Sequence, residues 1–409
     1  MGSIRAIRRN IKRNDHKSLQ KVGTPQRALG VGLAVSVAAG MGVPIAIASQ
    51  GVAPSAAAVA SQQSTSVSSA TGCTPDAIVT TTPMSGGGTD YEFNVGNGQD
   101  VWSPVPPNGF NPLTATESQL TEYGFPLKPT DPTALKQWES LMASYTGTPT
   151  PAMCNTGVIG AYRPTSPPTL LSDLFGGFMS SSTENWSGYQ AQSGSDTQFR
   201  AVSGNYTQAA LTQPSGTSCS NAQESSWVGI GGANFNEGLI QGGTAWSEGN
   251  YEAWYEWLAP NEAQPGTIFS TAFSNLPVAP GDPVHIYVSY EIDSQTADIT
   301  VFVNGQHQSA IGTPGGKVNF VANDYNGSSV EWVDERPQNA SGQLVPLAQW
   351  QNAITWSSGE TMVASGATDT IQQAGGQSIK MEVGSTKLTS GGTLNSAGNG
   401  FSDTWKSCG

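Results

Sequence analysis

From about Glu184 to its C-terminus the chain reads as one short strand after another, and this limits what it can fold into more than any other feature. "VHIYVSYE" (284–291) alternates apolar and polar residues strictly, and "YEAWYEWL" (251–258) alternates again. "ADITVFVNGQHQS" breaks at Asn304-Gly305, a dipeptide suited to a two-residue hairpin turn. No long helical pattern intervenes and no internal repeat is evident. Many strands at short spacing, joined by turn residues, predict an all-β antiparallel sandwich or jelly roll of roughly 220 residues. The 49 glycines and 26 prolines of this 409-residue chain suit such a turn-rich fold.

The text before this region differs. In "NPLTATESQLTEYGFP", Thr116 with Gln119 predicts a capped short helix stopping at Gly124. In "DPTALKQWESLMASY", Asp131 is the cap and Pro132 the first helical residue. Leu135, Trp138, Leu141, Met142 and Tyr145 then share one face. A proline- and serine-rich stretch, "YRPTSPPTLLSDLFGGFMSSST", reads as a boundary. Residues 49–72 are low-complexity.

Eight of the 17 basic residues lie in the first 27 positions, ahead of the apolar run "ALGVGLAVSVAAGMGVPIAIA". This is the pattern of a cleaved signal peptide over 1–48, with an uncleaved anchor as the alternative; "IRRNIK" weakly resembles a twin-arginine signal. With its single acid, Asp15, the leader leaves 9 basic and 29 acidic residues for the rest. So acidic a chain repels phosphate backbones, which excludes nucleic acid as a natural partner. A secreted protein with no stable membrane association after cleavage is expected. Cys73, Cys154, Cys219 and Cys408 are too widely spaced for a zinc knuckle and fit two disulfides, Cys73 with Cys154 and Cys219 with Cys408. Beyond the leader only His285 and His307 remain, and each sits in a strand pattern that reads as ordinary surface. No metal or cofactor is expected.

Charge is scarce at 11% of residues, yet "VEWVDERP" (330–337) holds Glu331, Asp334 and Glu335. In a strand Glu331, Val333 and Glu335 point one way and Trp332 and Asp334 the other. Glu331 and Glu335 would then stand about 13 Å apart, too far for the carboxyl pair of a glycosidase. By the same alternation Glu252, Trp254 and Glu256 share a face, as do Leu239 and Gln241. Such faces line a cleft or simply meet solvent.

Six runs, "ENWSGY" (184–189), "WVGIGG" (227–232), "LIQGG" (239–243), "YEAWYEWLAP" (251–260), "PGD" (280–282) and "VEWVDERP", occur in the order and approximate spacing of the glutamic peptidases, the eqolisin family. The chain resembles that family over about 184–340. The resemblance implies a secreted acid endopeptidase acting on polypeptides, with a concanavalin-like sandwich of two curved antiparallel sheets over 181–409. It places a catalytic pair on Gln241 and Glu335, and substrate contacts on Trp227, Trp254 and Glu256. Glu331 and Asp334 are then supporting residues, with a salt bridge to Arg336 as a lesser role for this cluster. Residues 49–180 resemble a linker and pro-segment, small and mostly irregular or helical, with a permanently attached accessory module as the alternative. The sequence departs from the family pattern at Gly231, where an Asp is usual, at Leu258, where a Tyr is common, and at Gly242, where a Thr flanks the glutamine.

Residues 180–409 carry 20 acids and 6 bases, so few carboxylates depend on a partner that acid would remove. A domain most stable near pH 3 to 4, and monomeric, is expected. Two other readings use the same residues: a jelly-roll glycosidase working with Glu256 and Glu335, and a lectin-like sandwich stacking sugars on its aromatic rings.

Overall fold

The computed structural model describes residues 76–95, 100–155, 181–193, 198–233, 238–258, 270–292, 294–313, 325–339 and 343–409. The expected signal peptide and low-complexity stretch, the boundary segment and Cys73 lie outside the described residues. In chain order the first elements are β1 (Ile78–Pro83), β2 (Thr89–Asn94), β3 (Asp100–Val105), α1 (Glu117–Glu122), α2 (Pro132–Ser144) and β4 (Met153–Asn155). Next come β5 (Ser181–Thr183), β6 (Trp186–Gln192), β7 (Phe199–Thr207), β8 (Leu211–Thr212), β9 (Gln223–Gly231), β10 (Leu239–Ser247), β11 (Asn250–Leu258) and β12 (Thr271–Phe273). The chain continues through β13 (Pro283–Glu291), β14 (Thr296–Val303), β15 (Gln306–Gly312), β16 (Ser329–Glu335) and β17 (Gln349–Trp350). It closes with β18 (Ile354–Val363), β19 (Thr368–Thr370), β20 (Gln377–Val383), β21 (Thr386–Lys387) and β22 (Phe401–Asp403).

Twenty of these strands form two ten-stranded sheets among the described residues, and β8 and β17 pair with each other. The back sheet runs β1-β2-β3-β15-β14-β13-β7-β18-β19, with β22 also on β18. The front sheet runs β21-β20-β6-β16-β9-β10-β11-β12-β4, with β5 on β20. The sandwich anticipated from the alternating text is therefore present. Its physical cause shows in β13, where Val284, Ile286, Val288 and Tyr290 are buried toward the front sheet and the residues between them are not. Each such large apolar side chain taken fully out of water contributes roughly 1.5–3 kcal/mol. Asn304 and Gly305 adopt φ of 49° and 78°, the left-handed pair that closes β14 onto β15. A disulfide joins Cys219 to Cys408 across 189 residues, as the cysteine reading had it. Cys154 is also disulfide-bonded.

Both anticipated helices form. Thr116 and Gln119 make a reciprocal capping box on α1, and Asp131 accepts from the backbone of Thr133 and Ala134 at the start of α2. The other described elements of this early segment are strands. β1, β2 and β3 extend the back sheet from β15, and β4 extends the front sheet from β12. An edge strand offers unpaired N–H and C=O groups, and β15 and β12 here satisfy theirs with strands from the early segment. Leu120, Tyr123, Phe125, Trp138 and Met142 pack with Phe302 of β14 into a separate apolar cluster on the outer side of the back sheet. His307 corrects the surface reading: it is wholly buried under this cluster, its ring stacked on Phe125 at 4.1 Å.

Candidate active site

Strands β16, β9, β10 and β11 lie side by side in the middle of the front sheet, and alternation gives each two functional faces. Trp332 turns inward, its indole N–H donating to Ser203 O of β7, and Gly242 turns inward against Ile299 of β14. Their neighbours Glu331, Val333, Glu335 and Gln241 therefore face outward, away from the back sheet. The register sets three rows across this outer face. One row is Glu256–Gln241–Gly229–Glu331, the next Trp254–Gly243–Trp227–Val333, and the third Glu252–Ala245–Ser225–Glu335. Trp186, on β6, continues the third row directly beside Glu335.

The structure thus brings all five expected site residues, Gln241, Glu335, Trp227, Trp254 and Glu256, onto one face. The acid in Gln241's own row is Glu331, across Gly229, whereas Glu335 is two strands and four residues from Gln241, roughly 10 Å by 13 Å on a flat sheet and about 16 Å corner to corner, too far for both side chains to reach one carbonyl. Trp227 lies between them. Its indole N–H donates to Glu335 Oε2 at 2.6 Å, and its far edge reaches over Gly229, where a Cβ would come within 3.0 Å of Trp227 Cζ3. Gln241 Nε2 donates to Glu256 Oε2 at 2.7 Å. That bond fixes which way the amide points and leaves its second N–H for another acceptor. Gln241 Oε1 is buried and accepts no hydrogen bond among the described residues.

Trp186, Trp227, Leu239, Ala245, Trp254, Leu258, Val333 and Ile379 surround these polar groups as an apolar cluster of their own, distinct from the core between the sheets. The two tryptophans of the sequence reading therefore belong to the outer face. Trp186 was missed, although it stands in "ENWSGY"; it meets Trp227 edge to face at 5.0 Å. Glu252 is also on this face, and burial pushes its carboxyl up to about 7. Asp334 faces the opposite way from Glu335, as alternation required. Arg336 donates to Val345 O at 2.5 Å, and burial lowers its pKa. Among the described residues no three His, Cys, Asp or Glu side chains converge as a metal-binding group.

Two departures from the glutamic peptidase pattern have structural reasons. A Cβ at Gly242 would fall 2.4 Å from Ile299 Cγ2, so the residue beside Gln241 must be glycine while Ile299 fills the core there. Gly231 has φ of 86°, and a Cβ there would fall 2.0 Å from Gly238 O, which leaves no room for an Asp on this backbone. Leu258 pairs with Leu239 and is buried in the outer apolar cluster.

An antiparallel sandwich bearing a buried glutamine and glutamate among tryptophans on one sheet face matches the glutamic peptidase class anticipated from the motifs. The chain belongs to the Peptidase A4 family, whose model matches residues 184–399, just over half of its length. It is 27% identical over 157 residues to Scytalidopepsin B of Scytalidium lignicola, an alignment covering 36% of this chain and 54% of that protein. The chain thus spans about half the length of that relative. Among solved structures it is similar to scytalido-glutamic peptidase bound to a transition state analog inhibitor. That likeness has 21% identity and a TM-score of 0.44, over 55% of this chain and 98% of the other. Aspergilloglutamic peptidase from Aspergillus niger is 22% identical with a TM-score of 0.37, over 45% and 99% of the two chains.

Proposed function

We propose that the protein is a secreted acid endopeptidase that hydrolyses peptide bonds with Gln241 and Glu331, by direct attack of an activated water held between them. The observation that carries this reading is the directly paired row Gln241–Gly229–Glu331, two outward side chains facing each other across a residue with no side chain, which favours Glu331 over the Glu335 that the resemblance implied. Glu331 takes a proton from water as the oxygen attacks the scissile carbonyl. It then returns a proton to the departing amide nitrogen, a role usually worth about 10² to 10⁴ in rate. Gln241, oriented by Glu256, offers its remaining N–H to the developing oxyanion, a contribution of roughly 2.7–4 kcal/mol for one such donor. The tryptophans and Leu258 supply apolar surface for substrate side chains, and no covalent intermediate is formed.

Gln241 and Glu331 are both 0% exposed. Substrate then reaches them only after the surrounding chain moves, and residues 49–180 are read as a pro-segment on the resemblance alone. The glycosidase reading is weaker, because Glu256 is bonded to Gln241, which stands on the strand between it and the strands leading to Glu335. The test is cleavage of an unfolded protein at about pH 3 to 4 by the acid-treated parent, Gln241→Ala and Glu331→Gln. Cleavage by the parent alone supports the proposal, and equal cleavage by all three refutes it.

A further inference from the structure

The inward side of the same strands holds acids that the proposed reaction does not use. Ser187, Asp334, Ser226 and Thr244 form one row of directly paired residues across β6, β16, β9 and β10, all turned toward the back sheet and buried. Glu224 lies two residues before Ser226 on the same side of β9 and is also buried. Ser226 Oγ is 2.6 Å from Glu224 Oε1 and 2.9 Å from Asp334 Oδ1. A hydroxyl has a single proton to give, so it cannot donate to two carboxylates at once. One of the two contacts must be a carboxylic acid donating to Ser226 Oγ. Asp334 Oδ1 already accepts from the Trp356 indole at 3.1 Å, which assigns the proton to Glu224 and the accepting role to Asp334.

The groups facing this pair from other elements are acidic. Asp403 of β22 and Glu224 both act on Asp334, and Tyr206 of β7 and Tyr251 of β11 feel Glu224. None brings a positive charge. Burial raises the Glu224 carboxyl to about 8 and holds Asp334 well above the usual carboxylate range. Asp403 is differently placed. It accepts from Ser187 Oγ, from Ser390 N and Oγ, from Gly391 N and from Thr404 N.

Asp334 is the chain neighbour of Glu335, and Ser226 is the neighbour of Trp227. We propose that Glu224, Ser226 and Asp334 form a proton-sharing clasp behind the candidate site, which ties β9 to β16 and so positions Trp227 against Glu335 while one proton is aboard. Loss of that proton leaves like charges facing each other in a dry interior, and the two strands part. The clasp acts on the catalytic pair through the backbone, and none of its three residues faces the outer surface.

The experiment compares the parent, Glu224→Gln and Asp334→Asn by thermal melting and by peptide cleavage across the pH range from about 3 to 8. The glutamine amide donates to Ser226 Oγ at every pH. Glu224→Gln should therefore melt like the parent near pH 4, melt higher near neutrality, and carry the alkaline limb of cleavage upward by about one pH unit or more. A variant whose melting and alkaline limb both follow the parent overturns the proposal, as does equal destabilisation at both pH values. Infrared spectroscopy covers the case in which neither variant folds. Burial raises Glu252 and Glu360 to about 7 as well, so the spectrum is taken on the protein carrying Glu252→Gln and Glu360→Gln. Near pH 6 it should still show the C=O band of a protonated carboxyl, and the absence of that band refutes the clasp. The cleavage arm rests on the peptidase reading; the melting and infrared arms do not, so failure of one is separable from failure of the other.

Discussion

His307 should make the early segment loosen in acid. Its ring is sealed between Phe125 and Phe302, at 4.1 Å and 4.9 Å between centroids. Nε2 lies 3.2 Å from Gly124 O and Nδ1 lies 3.0 Å from Thr148 Oγ1. A carbonyl only accepts, so Nε2 carries the hydrogen and Nδ1 accepts from the threonine hydroxyl, a neutral imidazole with both nitrogens satisfied. Burial lowers the pKa from 6.5 to about 4. A histidine depressed in the folded state contributes stability that is complete above its unfolded value and is lost as pH falls through the folded one. About 2.5 pH units at about 1.4 kcal/mol each gives about 3.5 kcal/mol in all, of which about 3 kcal/mol is lost between pH 6.5 and pH 4, where the folded ring is half-titrated. Gly124 and Thr148 belong to the early segment, so the loss falls on its attachment to the back sheet. Amide exchange, corrected for intrinsic rates, should show protection of α1 and α2 falling roughly 100-fold over this range, while the central strands keep theirs. His307→Phe, which fills the same slot without titrating, should remove the pH dependence. An equal fall in that variant, or none in the parent, refutes the reasoning.

Two further outcomes follow from packing and covalent structure. Gly242→Thr should cost about 1–3 kcal/mol by overpacking against Ile299, and adding Ile299→Ala should recover part of it; denaturant melts of the single and double variants read this directly. Replacing Cys219 and Cys408 by serine should lower stability by about 3–5 kcal/mol, because the bond closes a loop of 189 residues in the unfolded chain, and urea midpoints should move accordingly.

The sequence by itself determined the local features. Alternation in 284–291 set which side chains of β13 face the core, Asn304-Gly305 set the hairpin, and Thr116, Asp131 and Pro132 set both helix starts. It also separated Asp334 from Glu335, since a period of two sends neighbours to opposite faces. These are properties of a few adjacent residues, so a reader of the chain has all the information. Strand partners are different, because pairing joins residues far apart in the chain. Only the tertiary structure decided that β9 lies between β16 and β10, and hence that Trp227 donates to Glu335 while Ser226 lies between Glu224 and Asp334. Only it decided that β1–β4 continue both sheets, and that a histidine in an ordinary strand pattern is sealed under a second layer. Strand register and layer contacts are collective, set by how whole faces fit once the sheets close, and no local pattern encodes the burial that then shifts Glu224 and His307 in opposite directions.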